Sequence, residues 1–172
     1  MIRIAISLAM VGVASMATLP ANALLSRAWV SGKGVDAASC GPIERPCRSL
    51  QYTHDTIIAP GGEIDVLDSA GYGSLTIDKA LNVVNDGNVA GVLAPAGSNG
   101  ITINAGANDD VLLRGLTVEG ASVGRNGIVF NTGRNLVISK CFVQNFSGTG
   151  ADGNGIVIQP AGSTTTHAIT ID

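Results

Sequence analysis

Apolar and polar residues alternate with a period of two over much of this chain, the spacing that places every second side chain on one face of a β-strand. NGITIN at 99–104, NGIVFN at 126–131 and NGIVIQ at 154–159 share one form: an Asn-Gly start, alternating apolar residues and a terminal carboxamide. The copies begin 27 and 28 residues apart. A fixed period of that size points to stacked units that bury their apolar faces against one another. Aligning the segments gives a first inward column of Leu75/Ile77, Ile101/Ile103, Ile128/Phe130 and Ile156/Ile158. A second column holds Leu81/Val83, Val111/Leu113, Leu136/Ile138 and Ile169/Ile171, and a partial third sets Leu116/Val118 above Cys141/Val143. Short strands joined by turns rich in Gly, Asn and Asp are the layout of a parallel β-solenoid.

Stacked strands lie about 4.8 Å apart, so equivalent residues in successive layers come into contact. Asn99, Asn126 and Asn154 are therefore expected to pass side-chain amide hydrogen bonds up the stack as a structural ladder. Gly100, Gly127 and Gly155 are expected to supply a positive φ at the corner beside them. Asn104, Asn131 and Gln159 form a candidate second ladder at the other end of the same strands.

Ahead of this pattern, SLQYTHDTIIA at 49–59 reads as a short amphipathic helix. Ser49 is its N-cap, Leu50, His54, Ile57 and Ile58 form its apolar face, and Pro60-Gly61-Gly62 stops it. A stack needs its first layer covered, because a bare end exposes apolar interior and unpaired strand edge. The first 23 residues are set apart: Arg3 precedes an apolar run from Ile4 to Ala14, and Ala21-Asn22-Ala23 has the form of a cleavage site. The run falls short of the ~20 residues that span a bilayer, so a secretory signal is expected, with no membrane span after its removal. The organisation is thus a signal peptide at 1–23, an N-terminal strand and disulfide loop at 24–48, and a capping helix with stacked layers at 49–172. The chain stops at AITID as a strand is completed, which reads as a fragment of a longer stack, the alternative being an open end that meets another molecule.

Composition narrows the classes. Without Arg3 the chain carries 9 basic and 13 acidic side chains and no Lys/Arg run, which argues against a nucleic-acid partner. Glycine is 23 of 172 residues, too many for a helical domain, where each interior Gly costs about 1 kcal/mol relative to Ala. Cys40 and Cys47 flank the loop CGPIERPC. Export makes a local disulfide the expected state, and no further Cys or His lies at ligand spacing for a metal site. Cys141, in the alternating run VISKCFVQNF, reads as a small buried apolar residue.

The order of parts now carries a resemblance. A capping helix, a P-G-G turn, EIDVL at 63–67, GYG at 71–73 and LTIDKALNVV at 75–84 resemble the start of pectin-lyase-like right-handed parallel β-helix proteins. More narrowly, SGKGVDAASCGPIERPCRSLQ followed by GGEIDVLDSAGYGSLTIDKAL is similar to an exported bacterial group of undetermined function, over essentially Ala28 to Asp172. The resemblance implies an all-β fold, a right-handed parallel β-helix with a short N-terminal capping α-helix. It implies a secreted or periplasmic location but no particular activity, since this fold hosts many unrelated chemistries.

Related lyases use clustered acidic calcium ligands with a basic residue, and related hydrolases use paired aspartates for acid and base work. Asn108-Asp109-Asp110 holds the adjacent acidic pair here, before the strand VLLRGLTV that carries Arg114 outward. Stacking puts Ser139 and Asp172 in the row of Arg114, with Arg134 and Asn135 near the following turn. A groove of Asp109, Asp110, Arg114 and Asp172 could take calcium or an acidic sugar; turn chemistry with a solvated ion pair is the plainer account. Nothing matches the paired-Asp, Gly-His-Gly and Arg-x-Lys pattern of polygalacturonases. SGTGADGNG at 147–155 partly resembles the calcium-binding nonapeptide, but that motif works in tandem, so no cofactor is expected beyond this calcium option. Asp65 should face outward and Asp68 lies at a turn. Of the aromatic residues, Phe142 is expected outward and Tyr72 at a corner, which makes these two the candidates for stacking on a sugar ring. The reading reached is an exported rigid binding or scaffold module at the cell envelope, polysaccharide or another envelope component being its partner. The alternative is a polysaccharide lyase or glycoside hydrolase whose active site lies in layers beyond Asp172, and a third is a filament or adhesin segment.

Overall fold

The computed structural model describes residues 23–148, 152–160 and 167–172. The signal peptide expected at the amino end therefore falls outside the described residues except for Ala23, as do the central residues of the nonapeptide-like segment. What is described is dominated by strands in parallel sheets, with one short helix. In chain order the strands are β1 (Leu25–Val30), β2 (Ile58–Val66), β3 (Ala70–Gly71), β4 (Leu75–Ile77), β5 (Leu81–Val84), β6 (Ala90–Leu93) and β7 (Ile101–Asn104). They continue as β8 (Asp110–Arg114), β9 (Leu116–Glu119), β10 (Ile128–Thr132), β11 (Asn135–Ser139), β12 (Phe142–Gln144), β13 (Ile156–Ile158) and β14 (Ala168–Ile171). Sheet A has the order β1-β2-β5-β8-β11-β14, sheet B β3-β6-β9-β12 and sheet C β4-β7-β10-β13. From β2 onward the chain visits A, B and C in strict rotation, and each pass pairs in parallel with the one before it.

The register follows the expected columns. Leu75, Ile101, Ile128 and Ile156 are successive partners in sheet C, and so are Ile77, Ile103, Phe130 and Ile158. In sheet A the partners run Leu81, Val111, Leu136, Ile169 and Val83, Leu113, Ile138, Ile171. The third column extends beyond its expected pair: Ala70, Ala90 and Leu116 are register partners, and Val92, Val118 and Val143 follow beside them. Most of these side chains are fully buried, each contributing about 1.5–3 kcal/mol of transfer free energy. Ile158 and Ile171, in the last described pass, are exposed.

The amino-terminal cover is shorter than the pattern suggests. Helix α1 (Leu50–Tyr52) gives way to a π-helical turn at Thr53–Ile57, and β2 begins at Ile58, although the pattern puts Ile58 on the helical face and extends the helix to residue 59. Strand pairing overrides helix here, because Ile58 is the register partner of Leu25 and Pro60-Gly61-Gly62 lie within β2, where the β1–β2 register jumps. Ser49 caps the helix as expected, its Oγ accepting from the Tyr52 amide at 3.3 Å. The cover closes two sheet edges. Gln51 accepts from the Thr76 amide at 2.7 Å and donates to the Thr76 carbonyl at 3.2 Å, pairing with β4 as a strand would. The Leu50 amide and the Arg48 guanidinium donate to the carbonyls of Tyr72 and Gly71 at the edge of sheet B. Lys79 Nζ holds the carbonyls of His54 and Ile58 at 2.5 and 2.9 Å.

Cys40 and Cys47 form a disulfide, with both cysteines buried and their Cα atoms 5.0 Å apart. Asp36 lies beside the sulfurs, but the bond leaves no thiolate to ligate a metal. The Asp36 carboxylate instead accepts from the amides of Arg48 and Ser49 and from Ser49 Oγ, tying the disulfide loop to the helix start.

The repeated glycines carry a correction. Gly100, Gly127 and Gly155 do not adopt positive φ. Crowding between passes excludes a side chain at the first two: a Cβ on Gly100 would sit 2.5 Å from Val118 Cγ1, and one on Gly127 would sit 2.2 Å from the Gly155 carbonyl oxygen. At Gly155 the nearest atom, Val143 Cγ1, is 3.7 Å away. Gly127→Ala is accordingly expected to lower unfolding stability by about 1–3 kcal/mol in urea titrations, with Gly155→Ala close to neutral; equal effects would contradict the packing account.

Candidate functional site

The four residues expected to share a groove are not brought together. Asp110 opens β8 and Arg114 closes it, so the strand length separates them. Asp110 accepts from Arg134 and, at 2.7 Å, from Asn135, and the Arg134 guanidinium holds its carboxyl below the usual carboxylate range. Asp109 accepts from the Gly106 amide at 2.9 Å, closing its own turn. Arg114 pairs with Asp86 at 2.9 Å, a residue of the preceding pass that periodicity could not single out. Asp172 continues the β11–β14 register beside Ser139, its carbonyl accepting from the Lys140 amide. Among the other acids considered, Asp65 faces outward and is held by Arg27 through bonds of 2.6 and 3.0 Å, and Asp152 is paired with Arg125.

Tyr72 is corrected as well. It is 1% exposed and cannot serve as a platform for a ligand. Its hydroxyl donates to Asp68 at 2.6 Å, and Asp68 also accepts from the Gly32 amide and Ser31 Oγ, both at 2.7 Å. The Gly32 amide, then the Tyr72 and Ser31 hydroxyls, bring the Asp68 carboxyl down to about 2, while burial and the neighbouring carboxylate push the Tyr72 phenol up. Cys141 is half-buried against the core with its thiol pushed up by burial, in keeping with an inward apolar role.

The ladders are carried unequally. Asn131 Nδ2 donates to Asn104 Oδ1 at 2.8 Å and Gln159 Nε2 to Asn131 Oδ1 at 3.1 Å, a continuous file of carboxamides. At the Asn-Gly corners Asn154 donates to Asn126 Oδ1 through both its backbone and its side chain, whereas Asn99 turns to Thr102 Oγ1 at 3.2 Å.

Phe142 alone of the stacking candidates reaches solvent, at 70% exposure. It ends a row on the outer face of sheet B in which Gly71, Gly91, Thr117 and Phe142 are successive partners. A Cβ on Gly71 would meet nothing within 4 Å and its φ is not positive, so neither packing nor backbone requires glycine there. The row is a flat floor with an aromatic ring at one end. Beside it a cleft of about 340 Å³ is walled by the turn Asn85-Asp86-Gly87-Asn88, with Val89, Gly115, Thr117, Lys140 and Phe142 completing it. Asn85 is buried and fixes that wall, its Nδ2 donating to the carbonyls of Asn88 and Gly115 at 2.7 Å each. The cleft thus sets an apolar ring among a carboxylate, an ammonium, an amide and a hydroxyl, an arrangement suited to a ligand with one apolar face and a polar rim.

Lys140 occupies a costly corner. Gly115, the equivalent residue one pass earlier, has φ 71°, and Lys140 takes φ 52° at the same turn. A side chain in this left-handed region costs about 1–2 kcal/mol. No family model, curated protein or solved structure matches this chain.

Two outcomes are expected. Lys140→Gly should raise unfolding stability by about 1 kcal/mol through relief at that corner; a loss of stability would contradict it. Asp68 has a depressed folded pKa, so its contribution is present above about pH 4, the unfolded value, and fades as pH falls toward 2. Asp68→Asn should be less stable than the parent at neutral pH, and thermal melts should show the difference shrinking between about pH 4 and 2.

Proposed function

We infer that this chain is a right-handed parallel β-helix of the pectin-lyase-like kind, exported to the cell envelope, whose outer sheet-B face recognises saccharide. The fold reading is supported by the strict rotation of strands through three parallel sheets, and by Asn and Gln files at equivalent positions of successive passes. The disulfide is compatible with an extracellular location. Among the described residues no helix is long and apolar enough to cross a membrane.

The observation that carries the recognition reading is the exposed Phe142 ring at the end of a side-chain-poor floor, beside a polar cleft. A pyranose has an apolar C–H face that stacks on a phenyl ring and a rim of hydroxyls that suits Asp86, Asn88, Thr117 and Lys140. Adjacent strands give the ligand positions about 4.8 Å apart on a backbone held by parallel pairing between passes. Binding is favoured over acid–base chemistry because Asp65, Asp110, Asp152 and the cleft's own Asp86 are each paired with an arginine.

A glycan array followed by titration of the best ligand tests this. Phe142→Ala should weaken binding by at least about tenfold, the loss expected for an aromatic anchor. Binding unchanged by Phe142→Ala, or no glycan bound by the parent, would overturn the reading.

A further inference from the structure

The turn that walls the sheet-B cleft holds one polar atom whose hydrogen-bonding demand nothing meets. Asn85 is 4% exposed. Its Nδ2 donates to the carbonyls of Asn88 and Gly115 at 2.7 Å each, and because a carbonyl only accepts, the orientation of the amide is settled. Oδ1 is thereby fixed as an acceptor, and among the described residues no donor reaches it. A buried acceptor left in that state is costly, and a donor brought by a ligand removes the cost. Asn85 lines the cleft, so the cleft is the side from which that donor can come.

Other features of the cleft narrow the kind of donor. Val89 is 60% exposed, a branched apolar side chain set in an otherwise polar wall. The Thr117 hydroxyl and the Lys140 ammonium line the same cleft and offer donors of their own. A ligand hydroxyl satisfies Asn85 but leaves Val89 in water, and a ligand ammonium finds Asp86 already paired with Arg114 at 2.9 Å. A secondary amide that carries a methyl group uses all three features. Its N–H donates to Asn85 Oδ1, its carbonyl accepts from Thr117 or Lys140, and its methyl covers Val89.

Resting on the reading of this face as a saccharide site, we propose that the sugar it selects is an N-acetylated amino sugar, with the acetamido group seated in the cleft and the ring on Phe142. Asn85 and Val89 lie in the pass of β5 and β6, and Thr117 in the pass of β8 and β9. Each of these passes is paired with another on both sides, so the wall belongs to the interior of the stack. Asn85 acts as the selecting residue, because its fixed Oδ1 rewards a ligand N–H.

Calorimetric titration of the full chain with matched glycans tests the proposal. The sets are oligomers of N-acetylglucosamine and N-acetylgalactosamine, the same oligomers deacetylated, and their counterparts with a hydroxyl in place of the acetamido group. At least one acetamido oligomer should bind at least about tenfold more tightly than both of its counterparts. Asn85 is left unaltered because its Nδ2 holds the turn together. Val89→Ala, at an exposed position, should fold and reduce that preference by about threefold, weakening the acetamido ligand and leaving the hydroxyl counterpart unchanged. Glycans that bind and are weakened by Phe142→Ala, yet show no acetamido preference or one untouched by Val89→Ala, would overturn this proposal and leave the saccharide reading of the face standing. Binding of no glycan at all would overturn both.

Discussion

Backbone hydrogen bonds between one pass of the chain and the next are the constraint on which everything else rests. Among the described residues no strand has a partner nearby in sequence; partners lie a whole pass away, as Ile128 lies between Ile101 and Ile156. Because side chains alternate, a slip of one residue would move every inward Ile, Leu and Val to the outside at once. The inward files and the hydrogen-bond register therefore enforce each other. The close approach this demands is what excludes a side chain at Gly100 and Gly127, where the nearest contacts belong to neighbouring passes.

The same constraint shapes the outer surface. Outward side chains stand in rows set by strand spacing, and their character can change along a row without disturbing the core. The row Gly71, Gly91, Thr117 and Phe142 shows this, running from no side chain to an exposed ring across four parallel strands. The turns connecting the sheets are equally bound to the stack, since buried Asn85 joins its own turn to Gly115 of the next pass. A cleft built this way is pre-organised, which lowers the ordering cost of binding. Lys140 sits in a left-handed corner that its predecessor fills with glycine, and strain of that kind concentrates where a side chain is needed for more than packing.

Much of the architecture was legible in the chain because period-two alternation and a period near 28 residues are long-lived signals. The columns through Ile101, Ile128, Leu113 and Leu136 could be read directly, and so could the carboxamide file through Asn131. Sheet B was harder, since β3 and β6 offer Ala70, Gly71, Ala90 and Gly91, small residues that barely alternate in hydropathy. The end of the helix was misjudged because Ile57 and Ile58 suit a helical face as well as a strand, and only pairing with Leu25 decides between them. Tyr72 was placed at a corner as a stacking candidate; it packs instead into the apolar core, with its hydroxyl held by Asp68, and that packing across passes is not encoded in the residues beside it. Of the candidate site, Phe142 could be placed outward by alternation, but Asp86 and Lys140 reach it from separate turns. Charge pairing failed for a related reason: Arg114 meets Asp86 across passes, and the acidic pair beside its own strand is occupied by a turn and by Arg134.

Engineered cross-linking of neighbouring passes tests the parallel register most directly. Thr76 and Thr102 are aligned partners on the outer face of sheet C. In a Cys141→Ser background, cysteines at 76 and 102 should form a disulfide on mild oxidation, since aligned strands lie about 4.8 Å apart and a bridge spans about 4.4–6.8 Å between Cα atoms. A cysteine pair at 76 and 104, two residues out of register, should not bridge. Efficient closure of the second pair, or failure of the first in folded protein, would contradict the stacked parallel arrangement.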